Sequence, residues 1–294
     1  MGRNSRRPLA IITGANGGMG RCCARVLGAT RDLVLTDASP ALADFVRELE
    51  GEGCTVAGSV VGDVGGPEVL DALARHAADR EGFDVLIHTA GLGPSAPWRA
   101  IIEVNCVASV KLLERLSPLA RDGSVAVLIA SIAGHMLPPN PRLDALLAEP
   151  LSPHFCDDLE PLLAELAGVG GANAYGTLAY FVSKRKVIDL CVEHAAGWGA
   201  AGARIVSISP GMTYTPMGRH EAEADPLSGQ MVTATPIGRW GTPMEIALAA
   251  EFLVSPAAAF ITGTDLKVDG GSMAAVQLAS REAWLDSIQR NHQA

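Results

Sequence analysis

Tyr180 and Lys184 stand one helical turn apart in Tyr180-Phe181-Val182-Ser183-Lys184. Residues four apart share a helix face, so the phenol and the ammonium face the same side. A phenol with its ordinary pKa near 10 serves poorly as acid or base at neutral pH, and an adjacent cation favours the phenolate. The pair therefore suits acid/base work. A second chemical feature precedes it. The run Thr13-Gly14-Ala15-Asn16-Gly17-Gly18-Met19-Gly20 follows an apolar strand pattern and opens a helix predicted from Gly18 to about Ala29. Glycines let a backbone turn sharply against a pyrophosphate, whose charge meets unpaired N–H groups at a helix N-terminus. Gly14, Asn16, Gly18, Met19 and Gly20 are the expected cradle.

Asp37 closes the second apolar run, where a carboxylate can accept from both hydroxyls of an adenosine ribose and would repel a 2′-phosphate. No Arg or Lys lies within residues 13–20 or directly after Asp37, so NAD is expected rather than NADP. Asp63 and Val64 are expected at the adenine, with turn chemistry in Gly62-Asp63-Val64-Gly65-Gly66 as the rival reading.

These groups need a scaffold to hold them. Runs rich in Val, Ile and Leu recur at Leu9–Thr13, Leu33–Thr36, Cys54–Val60, Val85–Thr89, Val125–Ala130, Arg204–Ser209 and Asp265–Val268. Helical stretches near 40–50, 67–80, 98–117, 175–197 and 243–254 separate them. Strands apolar at nearly every position suit a sheet covered on both faces, and parallel neighbours require crossovers. The expectation is an α/β fold, one Rossmann-type domain over residues 8–273 with a doubly wound parallel sheet of about seven strands. Residues 137–174, with a proline cluster and two helical patterns, exceed what one crossover needs and read as a helical insertion before the Tyr180 helix. Residues 1–7 are expected as a solvated leader and 274–294 as a C-terminal tail with a helix at 280–290.

Composition sets outer bounds. Of 294 residues, 48% are hydrophobic and 19% charged, which excludes a disordered chain. A net charge of 23 − 32 = −9 argues against nucleic acid or anionic lipid as the main partner. No apolar run reaches the roughly 20 residues that span a bilayer, so a soluble cytoplasmic protein is expected. The six cysteines lack Cys-x-x-Cys spacing and the seven histidines lack His-Glu-x-x-His, so reduced thiols and no metal are expected.

With these residues in order, the chain resembles the short-chain dehydrogenase/reductase family along nearly its whole length. The loop 13–20 matches that family's Thr-Gly-x-x-x-Gly-x-Gly, Thr89-Ala90-Gly91 its Asn-Ala-Gly, and Glu103-Val104-Asn105 the helix bearing its Asn. Ile129-Ala130-Ser131 matches its serine strand, and residues 180–184 its Tyr-x-x-x-Lys. Ser209-Pro210-Gly211 with Thr213 and Thr215 resembles its nicotinamide-side loop, and Asp265 to Gly271 its last strand and Asp-Gly-Gly end. The resemblance implies Tyr180 as proton donor or acceptor and Ser131 as hydrogen-bond partner of the substrate oxygen. It also implies Lys184 on the nicotinamide ribose, depressing the Tyr180 pKa, and Asn105 anchoring a water that links Lys184 to solvent. Thr89, Ala90 and Gly91 would border the cofactor.

Ser131 and Tyr180 lie 49 positions apart, where the family commonly has about 13. The lengthened region is similar to the branch containing 3α-hydroxysteroid dehydrogenase/carbonyl reductase. Met136, Leu137, Tyr175, Met212 and Met217 are the expected pocket wall, for a hydrophobic, steroid-like or cyclic alcohol or ketone. The stretch Met212–Pro236, with few strong helix signals, is expected to be a lid. The insertion is expected to cover one helical face and leave a homodimer, rather than a tetramer, through the 243–254 helix and final strand. Enoyl reduction in divergent relatives wants Tyr seven residues before Lys, where Thr177 stands. The alternative from another class is a catalytically silent nucleotide sensor on the same fold, which would not need Ser131, Tyr180 and Lys184 together.

Overall fold

A computed structural model describes residues 7–168, 174–224 and 231–279. Its strands β1 (Leu9–Thr13), β2 (Asp32–Asp37), β3 (Val56–Val61), β4 (Phe83–His88), β5 (Ala120–Ile129), β6 (Arg204–Pro210) and β7 (Asp265–Val268) form one sheet ordered β3-β2-β1-β4-β5-β6-β7. Every pairing is parallel, from Thr13 beside Thr36 and His88 to Pro210 beside Val268. Strand order reverses between β1 and β4, and at such a switch point the diverging loops leave a crevice beyond the carboxyl ends.

Alternation along each strand assigns the two cores. Leu9 and Ile11 of β1 pack with helices α3 (Pro67–Ala78), α5 (Ala108–Leu116) and α8 (Tyr175–Ala200), while Ala10 and Ile12 point to the opposite face. There α1 (Gly18–Gly28), α2 (Leu42–Gly51) and α10 (Pro243–Val254) contribute Leu27, Phe45 and Leu253. The predicted helix over 98–117 is broken: α4 (Trp98–Ile101) passes through a π turn at Ile102–Val107 before α5 begins. Among the described residues, no helix is long and apolar enough to cross a membrane.

The insertion contains α6 (Pro141–Ala148) and α7 (Phe155–Ala167). Asn140 caps α6, its side chain accepting from the N–H groups of Arg142 and Leu143 at 3.0 and 3.2 Å, and Pro141 presets the first helical position. Leu143, Leu147, Leu159, Leu162 and Leu163 form a third core with Ile101, Ile102, Ala179 and Val182, so the insertion clasps α4 and α8. The expected lid holds a helix, α9 (Pro216–Ala224), which its proline and glycines hid from the sequence pattern. Arg7 is not simply solvated: its guanidinium donates to Gly28 O at 2.8 Å. The tail helix expected at 280–290 lies outside the described residues.

The β1–β4 seam is locked by His88, which is buried. Its Nδ1 pairs with Thr13 Oγ1 at 2.7 Å and its Nε2 with Ser109 Oγ at 2.8 Å. Burial, helped by the charge of Lys184, holds its pKa down at about 3. An unfolded imidazole takes its proton near 6.5, so the folded state excludes that proton between about 6.5 and 3. The stabilisation from neutral His88 is therefore complete above about pH 6.5 and is lost on acidification, at up to about 1.4 kcal/mol per pH unit. His88→Gln, neutral throughout, is expected to flatten the fall of unfolding free energy between pH 6.5 and 4. Equal slopes in urea titrations would contradict this.

Candidate active site

A cleft of about 1030 Å³ runs along the carboxyl ends of the strands. One end is built by the glycine loop. Gly14 has φ +64, and a β-carbon there would fall 2.6 Å from Ala90 N, so only glycine lets this loop lie against the end of β4. Gly20 packs so tightly that a β-carbon would strike Gly14 O and lie 2.9 Å from Ala15 Cα, which seats α1 on the strand. The first-turn N–H groups of α1 have no carbonyl ahead of them in the helix and are available to an anion.

Asp37 ends β2 with its carboxylate fixed, Oδ2 accepting from Asn16 N at 2.9 Å and Oδ1 from Ser39 N at 2.8 Å. Beside it on the cleft wall, the buried Thr36 Oγ1 has no partner among the described residues. Arg21, one residue past the loop, donates to Asn16 Oδ1 at 2.9 Å, pairs with Glu48 and lies 4.1 Å over the Phe45 ring. Asp63 faces the cleft and also forms a turn, accepting from Gly65 N at 3.0 Å. Thr89 donates to Thr13 O at 2.7 Å and so ties β4 to β1. Gly18, Met19, Val64, Ala90, Gly91, Pro210, Gly211, Thr213 and Thr215 also line the cleft. A dinucleotide fits this lining: a glycine cradle at one end, a fixed carboxylate and an orphaned hydroxyl beside it, and a polar loop at the other.

At the inner end Ser131, Tyr180 and Lys184 converge on the same cleft. Burial pushes the Tyr180 phenol up to about 12, and a hydrogen bond with Ser131 acts the other way. Lys184, which the resemblance implies to depress this phenol, lies one turn along the same helix. The buried ammonium donates to Ile129 O at 3.0 Å and stands 5.7 Å from the Tyr180 ring centroid, and desolvation lowers its own pKa to about 8. Glu221 of α9 also faces the cleft, and its charge raises both Tyr180 and Lys184.

Asn105 lies behind the cleft, in the π turn. Its Oδ1 accepts from Leu92 N at 2.7 Å and its Nδ2 donates to Leu92 O at 2.9 Å, while its own carbonyl accepts from Ser109 Oγ at 2.7 Å. The side chain is thus a clamp on the loop after β4. Met136, Met212 and Met217 line the cleft as expected, whereas Leu137 and Tyr175 do not. Both are drawn into the insertion's apolar cluster, Tyr175 standing edge-on to Trp98 with ring centroids 6.2 Å apart. Sequence reasoning missed Phe181 and Thr177 as cleft residues. Positions 177, 180, 181 and 184 are one helical face, so the spacing already contained them. Glu221 sits in the proline- and glycine-rich stretch around α9, where no periodicity marks it.

A family model described as short chain dehydrogenase matches residues 8–141, and one described as Enoyl-(Acyl carrier protein) reductase matches 163–273. Galactitol 2-dehydrogenase (L-tagatose-forming) of Cereibacter sphaeroides is 30% identical over 274 residues, covering 89% of this chain and 93% of that one. The 3-alpha-hydroxysteroid dehydrogenase/carbonyl reductase of Comamonas testosteroni is 33% identical over 210 residues, covering 69% and 76%. The crystal structure of the 3-alpha-hydroxysteroid dehydrogenase from Pseudomonas sp. B-0831 complexed with NADH superposes with a TM-score of 0.70 at 26% identity, covering 92% of this chain and 98% of that one.

Removing the Asn105 clamp strands both polar groups of Leu92. Asn105→Ala is expected to cost about 1–3 kcal/mol, seen as a lower urea midpoint, and an unchanged midpoint would contradict the clamp.

Proposed function

We propose that this chain, which belongs to the short-chain dehydrogenase/reductase family, interconverts a secondary alcohol and a ketone with NAD(H), on a hydrophobic, steroid-like or cyclic substrate. The family acts as oxidoreductases on alcohols with nicotinamide cofactors. The observation that carries the reading is the single cleft, with Ser131, Tyr180 and Lys184 at one end and the glycine loop and Asp37 at the other.

Bound NAD supplies a hydride acceptor or donor at the nicotinamide carbon. Gly14, Asn16, Gly18, Met19 and Gly20 hold the pyrophosphate. Asp37, held in place by two backbone donors, accepts from the ribose hydroxyls and opposes a 2′-phosphate. Arg21 is engaged by Glu48 and Asn16, which supports NAD over NADP. Asp63 and Val64 border the adenine, and Thr89, Ala90, Gly91, Pro210, Gly211, Thr213 and Thr215 flank the nicotinamide side.

Tyr180 Oη carries the proton at the substrate oxygen, and Ser131 Oγ steadies that oxygen. With its pKa held at about 12, the phenol is protonated at neutral pH, the form that donates to a ketone. Lys184 holds the nicotinamide ribose, and Asn105 keeps the loop beside it in place. Met136, Met212, Met217 and Phe181 support an apolar substrate body. The silent sensor has less support, because Ser131, Tyr180 and Lys184 share one cleft. Enoyl reduction has less as well, because Thr177 occupies the Tyr position that it wants.

A cytoplasmic homodimer is the proposed working form. The six cysteines are unpaired, in keeping with a reducing compartment. Leu248 and Phe252 of α10 are exposed at helical spacing with Leu266 of β7, while α6 and α7 cover the α4–α8 face.

A panel of steroid and monocyclic ketones with NADH and NADPH tests the reaction. Tyr180→Phe is expected to lose at least about 10²-fold in kcat, and turnover surviving in that variant would overturn the mechanism. Asp37→Ala is expected to reduce the preference for NADH, and an unchanged ratio would contradict the cofactor assignment. Light scattering is expected to give a dimer; a stable tetramer would count against the covered face.

A further inference from the structure

Among the described residues, Glu221 is the one acidic group on the inner wall of the cleft, opposite Gly93 and near Tyr180 and Lys184. Its Oε1 is buried and has no hydrogen-bond partner among the described residues. An orphaned buried acceptor costs about 1–3 kcal/mol, and more when it is charged. The neighbouring cations are already engaged. Lys184 donates to Ile129 O, and Arg219 lies 5.1 Å over the Tyr214 ring. Burial raises the Glu221 carboxyl above its ordinary value, with only His220 and Lys184 opposing.

The approach of this carboxyl is built into the chain around it. A β-carbon at Gly93 would collide with Glu221 Oε1 and stand 3.2 Å from the Met217 side chain, so glycine is what lets the Glu221 carboxyl of α9 lie against the loop after β4. Thr215 fixes the start of α9, its Oγ1 accepting from Gly218 N at 2.9 Å. The carboxyl is therefore placed in the wall formed with Met217, opposite Gly93 and on the side of the cleft that holds Tyr180 and Lys184.

We infer that Glu221 binds a second hydroxyl of the substrate, one not oxidised in the reaction. This deepens the proposed function and rests on it. The substrate is then an alicyclic diol or hydroxyketone, its ring against Met136, Met212 and Met217, its reacting oxygen at Tyr180 and its other hydroxyl donating to Glu221. A neutral O–H suits the place better than an ammonium, because Lys184 already puts positive charge there. No bond changes at Glu221; it orients the ring and so selects which carbon faces the nicotinamide.

The test compares matched alcohols with and without the second hydroxyl, in wild type, Glu221→Gln and Glu221→Leu. Cyclohexanol is set against 1,4-cyclohexanediol, and a mono- against a dihydroxylated 3α-hydroxysteroid, each with NAD⁺. Wild type is expected to favour the dihydroxylated member by about tenfold or more in kcat/KM. In Glu221→Leu that ratio falls to near one, and Glu221→Gln, which still accepts, retains part of it. The KM for NAD⁺ stays within about twofold, a factor worth less than 0.5 kcal/mol. A ratio unchanged in Glu221→Leu, or a loss shared equally by both alcohols with a raised KM for NAD⁺, would overturn the inference. Wild type that oxidises none of the four alcohols and reduces no ketone of the earlier panel would instead remove the proposed function, and this inference with it.

Discussion

A buried chain of hydrogen bonds runs from the glycine loop to the helix that bears Tyr180, and the candidate site depends on it. Thr13 at the end of β1 meets His88 at the end of β4, His88 meets Ser109 on α5, and Ser109 donates to the carbonyl of Asn105. Asn105 then grips Leu92 through two bonds and reaches Ser183, next to Lys184, at 3.3 Å. Each member sits on a different element, so the strand that starts the glycine loop and the helix that bears Tyr180 are fixed in one frame. Such a network holds only if every polar member is satisfied, because the low dielectric that strengthens its bonds penalises any gap. That is why His88 is kept neutral.

The π turn at Ile102–Val107 is part of the same arrangement. It carries Asn105, whose carbonyl accepts from the Ser109 hydroxyl one turn further on. The insertion then loads this irregular region from outside, with Leu159 and Leu163 packed against Ile101 and Ile102. This irregular stretch of helix is thus supported on both sides.

Much of this was legible in the sequence where a residue's role is dictated by local spacing. Glycines at 14, 18 and 20 after an apolar run, an acid closing the next strand, and Tyr180 four before Lys184 each fix a local geometry, and the alternation of patterns fixes a parallel sheet. What escaped depends on partners distant in the chain. Leu137 and Tyr175 carry no mark that directs them to the insertion's core instead of the cleft. His88 carries no local mark of its role, though it joins β1, β4 and α5. The upward push on the Tyr180 phenol comes from burial, with Ser131 opposing it and Glu221 adding to it, and these are neighbours set by the fold. Glu221 lies in a segment whose prolines and glycines erase any helical period, so only its position opposite Gly93 exposes it.

The long connection between Ser131 and Tyr180 also bears on how the chain can vary. Stretching a closed loop from about 13 to about 49 residues adds roughly 1 kcal/mol of closure entropy, because that cost grows only with the logarithm of length. Burying a single leucine contributes about 1.5–3 kcal/mol. The connection therefore tolerates large additions, provided that they bring their own apolar face, as α6 and α7 do. It leaves the rim beside the reacting atoms open to natural experiment, while the sheet beneath it has almost no freedom to change.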